Sequence, residues 1–190
     1  MLRAMAALFG LRPRFALLVA AALALTSAVA ASAASPAHAA HALSVDVTCA
    51  GTETVTYAPG VLLTPQSVHV TVTGILAPCT SSDSSVVSGS YMEDFTATLS
   101  CATLLSGRAG TRTFNWSGGQ SSTFAFNRAL NNAGGQTTVT FTGNIAGGEF
   151  AGDTGLEQAT FVTLSTLQCL ASPGVTSLGP GPVVVNITGV

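Results

Sequence analysis

The side chains able to do chemistry are few in this chain, and four cysteines are the most informative. Cys49, Cys79, Cys101 and Cys169 stand 30, 22 and 68 residues apart. Zinc sites favour C-x2–4-C pairs or Cys/His clusters, and neither occurs here. An even count in an exported chain points to two disulfides. Three pairings are open: Cys49–Cys79 with Cys101–Cys169 is favoured, joining neighbours in sequence. The runner-up is Cys49–Cys101 with Cys79–Cys169, because Cys49 and Cys101 both end apolar strand faces.

The carboxylates offer a weaker signal. Glu149, Asp153 and Glu157 cluster around Gly152 in a turn and could hold Ca²⁺ weakly through oxygen ligands, although the spacing is not that of an EF-hand. Glu93 and Asp94 are adjacent, so on a strand they face opposite ways and cannot act as the opposed pair a glycosidase needs. No G-x-S-x-G is present. Of the histidines, His41 lies close to the expected mature N-terminus. His69 alternates with Thr71 and Thr73 on the outer side of a strand. Trp116, Tyr57 and Tyr91 are too few for an aromatic sugar platform, and Trp116 shares a strand face with Phe114, which places it in a core. The expectation is a protein without catalytic residues, without a cofactor and with no metal beyond that weak calcium candidate.

These side chains must be positioned by something, and the strands are easily seen. Residues 95–101 alternate without a fault: Phe95, Ala97, Leu99 and Cys101 on one side, Thr96, Thr98 and Ser100 on the other. That is the period of a half-buried strand. Residues 43–49, 68–73 and 137–145 repeat it. Alternation continues through residues 52–57 with Glu53 among the inward positions, which suggests a bulge near Gly51. Ala58-Pro59-Gly60, Asn131–Gly135 and Ser172-Pro173-Gly174 read as turns, and Gly179-Pro180-Gly181-Pro182 as a break before a final strand. Residues 111–116 and 121–127 flank Ser117-Gly118-Gly119-Gln120 as a hairpin. A polar loop over residues 78–90 holds Cys79, and residues 101–107 could form a helical turn. The sum is eight or nine short antiparallel strands in one all-β domain, residues 40–190, expected to form a β-sandwich of immunoglobulin-like kind or a small barrel.

Residues 1–39 read as a secretory signal: Arg3, Arg12 and Arg14, then the apolar run 16–30, then Ala37-His38-Ala39 as the cleavage site. The run is shorter than the ~20 residues of a transmembrane helix. The chain has no lysine, and the part after residue 39 holds Arg108, Arg112 and Arg128 against eight carboxylates, a formal net charge of −5. Nucleic acid and anionic membrane surfaces both bind mainly through Lys and Arg, so neither is an expected partner.

Several groups of residues resemble the uncharacterised small secreted β-proteins of actinobacteria. They are Cys49-x-Gly51 with Tyr57-x-Pro59-Gly60, Trp116-x-Gly118 with Ser121, Gly148-x-Phe150-x-Gly152-Asp153, and Cys169-Leu170 with Gly174-Val175 before a final Val/Ile strand. The resemblance implies no activity and no site residues. The function expected is therefore a secreted, non-catalytic binding or structural module with an extracellular or cell-wall partner. The alternatives are a small-molecule carrier with a cleft in the sandwich, or a protease inhibitor using the loop 79–90.

Overall fold

A computed structural model describes residues 44–189, except Leu105. The signal expected at residues 1–39, its Ala37-His38-Ala39 site and His41 lie outside the described residues. Eight strands follow in order: β1 (Ser44–Val61), β2 (Gln66–Ser81), β3 (Gly89–Leu99), β4 (Arg108–Trp116), β5 (Ser121–Ala133), β6 (Gln136–Gly148), β7 (Thr154–Val162) and β8 (Val175–Gly189). Two short helices, α1 (Cys101–Leu104) and α2 (Thr166–Leu170), fill the β3–β4 and β7–β8 connections.

Each strand pairs antiparallel with its neighbour in sequence, and β8 returns to pair with β1, so the sheet closes into one barrel rather than stacking as two sheets. Closure explains why no sandwich forms. β1 is 18 residues long and pairs along most of its length with both β2 and β8. Its register slips between Cys49 and Gly51 on the β2 side, and between Glu53 and Val55 on the β8 side. Such bulges bend and coil a strand enough to wrap a barrel. At Gly51 a side chain would run into the Ile75 carbonyl, so glycine permits the tight approach there.

The turn expected at Ala58-Pro59-Gly60 is instead part of β1. The segment is accommodated by a wide slip, from Thr56↔Ser177 to Val61↔Val175, and proline is tolerated at such an irregularity. Likewise Gly179-Pro180-Gly181-Pro182 lies within β8 rather than before it, and Cys79 lies on β2 rather than in a loop. The helical turn at residues 101–107 is present as α1. The second helix, α2, was not foreshadowed by periodicity: it is five residues long, held at its start by a capping box between Ser165 and Gln168.

Alternation decides which side chains fill the barrel. Phe114 and Trp116 of β4, Phe124 and Phe126 of β5, and Phe141 of β6 point inward and are buried. Their rings touch in series: Trp116–Phe114 5.4 Å, Phe114–Phe124 5.8 Å, Phe124–Phe126 5.5 Å and Phe126–Phe141 5.0 Å between centroids. Phe114, Trp116 and Phe124, with Val47, Leu76, Ile145 and Ile187, plug one end. The indole N–H of Trp116 donates to Ser122 Oγ at 2.8 Å, and that hydroxyl donates to the Glu149 carbonyl at 2.6 Å, so the plug leaves neither polar group unpaired. Outward positions such as Thr111, Thr113, Thr123 and Asn127 are exposed, the reverse of the apolar-out alternation of a lipid-facing barrel. Among the described residues no helix is long and apolar enough to cross a membrane.

Disulfides join Cys49 to Cys79 and Cys101 to Cys169. The first lies across directly opposed residues of β1 and β2. The second ties the start of α1 to α2.

Candidate functional site

The interior holds charge where a barrel core is ordinarily apolar. Glu53 is in phase with Val55 and Tyr57 on β1, Arg112 with Phe114 and Trp116 on β4, and Glu157 with Ala159 and Phe161 on β7. Glu93, in phase with Phe95 on β3, completes the group. The Arg112 side chain is 3% exposed, those of Glu53 and Glu157 3% and 0%. Its Nε donates to Glu93 at 2.5 Å; its Nη1 donates to Glu53 at 3.0 Å and also to Glu157. The guanidinium lies 4.1 Å from the Tyr91 ring centre and 4.9 Å from that of Phe141. One arginine thus connects β1, β3, β4 and β7 through the lumen.

Proton counting within the cluster is uneven. The Tyr91 hydroxyl is 2.6 Å from Glu53 Oε2 and 2.9 Å from Glu157 Oε1, yet it has one proton to donate. Burial, with the nearby Glu53 carboxylate adding to it against the pull of Arg112, raises Glu157 to about 7. Protonation of Glu157 removes one of the two buried negative charges that share this hydroxyl, and its Oε2, buried without a hydrogen-bond partner, is the oxygen free to carry the proton. Burial and the two carboxylates push Tyr91 far above its ordinary range, so it stays neutral. Burial pulls Arg112 down, but Glu157 and Glu53 push it further up, so it stays charged.

Beyond this cluster the barrel is hollow. A cavity of about 290 Å³ begins at Glu53, Glu93 and Arg112 and runs toward the end bearing α1 and α2. Its walls are apolar: Val55, Val70, Val72, Phe95, Phe126 and Phe141. Thr103 and Leu104 from α1, with Leu130, Leu164 and Leu178, surround the mouth. Arg108 and Arg128 also line it. An eight-stranded barrel is just wide enough either to be filled by its side chains or to hold one small ligand; here the aromatic plug takes one half and the cavity the other.

The wall has a seam. β3 and β4 are paired only at Gly89↔Trp116 and Ser90↔Asn115. Further along, side chains bridge the two strands: the Glu93–Arg112 ion pair, and Arg108, whose guanidinium lies 5.7 Å from the Phe95 ring centre.

The expected site residues are dispersed. Glu157 points into the barrel, whereas Glu149 and Asp153 stay in the β6–β7 turn, so the three do not converge on a calcium ion. Among the described residues no group of three His, Cys, Asp or Glu side chains could hold a metal. His69 is half-exposed on the outer surface, 3.3 Å from the Asp94 carboxylate. Trp116 is in the core. Arg112 and Glu93 were missed as site residues, and Glu53 was read only as the mark of a bulge. The available signal was parity: one arginine and three glutamates stand in phase with apolar inward faces.

Comparison of the chain with family models, curated proteins and solved structures finds no match.

Proposed function

We propose that this chain is an exported, non-catalytic carrier that holds one small, mainly apolar molecule inside its barrel. The observation carrying this reading is the cavity itself: about 290 Å³, apolar along its walls, with polar groups confined to its floor and mouth. Ligand sites have this composition, and their volumes begin near ~300 Å³.

The state of the charged groups favours binding over catalysis. Glu53, Glu93 and Arg112 at the cavity floor are tied up in ion pairs with one another, and Glu157 is fully buried, whereas a general acid or base must reach the proton it moves. The two disulfides suit an oxidising compartment, and the closed sheet suits a scaffold that stays folded outside the cell.

The test is titration with N-phenyl-1-naphthylamine, a neutral probe that brightens in apolar surroundings. The expected result is one probe per chain, with binding lost in Val70→Phe, which fills the cavity, while the far-UV circular dichroism is unchanged. Absence of binding, or equal binding by a folded Val70→Phe variant, would overturn the reading.

A further inference from the structure

Three arginines lie among the described residues, and they are used very differently. Arg112 is matched by three carboxylates. Arg108 and Arg128 make no ion pair among the described residues. They are nevertheless direct cross-strand partners, Arg108 on β4 against Arg128 on β5. Like charges placed opposite one another on a sheet destabilise it. The nearby carboxylate that could relieve them, Glu93, is held by Arg112 Nε.

Arg128 is also partly desolvated, whereas Arg108 is exposed. Both line the cavity near its mouth. Arg128 is anchored by Nη2 donating to the Ser106 carbonyl at 2.6 Å, while its Nε is buried with no acceptor. A buried donor on a charged group that lacks an acceptor is costly. Arg108 has its guanidinium by the Phe95 ring, at the seam. Burial, with the Arg108 charge adding to it, lowers Arg128 from its ordinary value, while Tyr57, another lining residue, pulls the other way. The fold thus maintains two cations and an idle donor at the rim of an apolar cup in a chain that is otherwise acidic.

Resting on the carrier reading, we propose that the ligand is an amphipathic anion: a carboxylate held between Arg108 and Arg128, with an apolar body directed toward the Glu53–Arg112 floor. The carboxylate separates the two like charges and gains charge-assisted hydrogen bonds from the guanidinium groups that line the cavity. From Tyr57 to Glu53 is four residues, roughly 13 Å of strand and ~10 Å along the axis of a tilted barrel. That depth suits a body of medium length. A cationic ligand is disfavoured, because it would have to pass both arginines before meeting Glu93.

The experiment is displacement of bound N-phenyl-1-naphthylamine by three molecules with the same tail: decanoate, decanol and decyltrimethylammonium. Decanoate is expected to bind about tenfold more tightly than decanol, and the ammonium more weakly than either. Arg108→Gln and Arg128→Gln are expected to weaken decanoate far more than decanol, bringing the two to the same level, and Arg128→Lys to retain part of the preference. If the probe binds but decanol matches decanoate, or the ammonium binds best, the anion assignment is overturned and the carrier stands. A preference for decanoate that survives both glutamine variants also overturns the assignment to these arginines. If the probe does not bind the wild-type protein at all, the carrier reading fails and this one with it.

Discussion

Replacing Arg112 with methionine keeps most of the side-chain volume and removes the single cation that serves three carboxylates. Glu53 and Glu157, 3% and 0% exposed, are then left in the lumen with the Tyr91 hydroxyl as their remaining partner. Removing one member of a buried ion pair costs about 3–5 kcal/mol, because the remaining charge is neither solvated nor paired. For a domain of this size each kcal/mol moves the melting temperature by roughly 2–4 °C, so a drop of about 6–20 °C is expected. The loss must depend on pH. At pH 5 Glu157 is already protonated, leaving fewer uncompensated charges, so the gap between wild type and variant narrows from pH 8 to pH 5. Urea unfolding at the two pH values, followed by tyrosine and tryptophan fluorescence, measures it. A loss under about 1 kcal/mol at pH 8, or an equal loss at both pH values, would refute the view of Arg112 as the charge that makes this interior tolerable.

Other consequences are separable from that one. Glu157 is raised in the folded state from its ordinary 4.5 to about 7, so between those values the native state holds a proton that the unfolded state has released. Its stabilising contribution is full below about pH 4.5 and is lost as pH rises through 7, on the order of 3 kcal/mol. Glu157→Gln, which mimics the protonated form, should flatten the stability profile between pH 5 and 8; an unchanged slope would show that another group sets it. The disulfides close loops of 30 and 68 residues, for which chain entropy gives roughly 3.6 and 4.4 kcal/mol. The Cys101→Ala, Cys169→Ala double variant should therefore lose stability and also speed amide exchange in α1 at the cavity mouth; protection of α1 equal to wild type would contradict its role as a fastener there. At the seam, amides of β4 that face β3 should exchange fast while those facing β5 are protected, because β3 and β4 pair at two positions only. Uniform protection along β4 would mean that the seam is closed in solution.

The strands were readable because alternation reports burial directly. Phe114 and Trp116 share a parity, so do Val139 and Phe141, and each pair faces the core. Parity does not report closure, which depends on β8 finding β1 more than a hundred residues away in sequence. Local patterns for a sandwich strand and a barrel strand are the same, so the barrel was not distinguishable. Pro59 and Pro180 misled the segmentation for a related reason. Each reads as a turn by local chemistry, yet each lies where β1 and β8 slip past one another, a property of the pair rather than of either segment. The cavity follows from closure and was equally hidden. The charged cluster was nearer to legibility: Arg112, Glu53 and Glu157 each stand at an inward position, but only the barrel places four different strands within reach of one guanidinium.

The central claim is that the barrel binds a small molecule in the space above that guanidinium. Methyl NMR of the valines tests it most directly, because the side chains are sorted by position. Val55, Val70 and Val72 line the cavity, whereas Val45, Val87 and Val184 are exposed on the outside. On titration with decanoate, the first three should shift together and saturate at one equivalent while the last three stay in place. Shifts confined to the exposed valines, or none at any valine, would contradict the account.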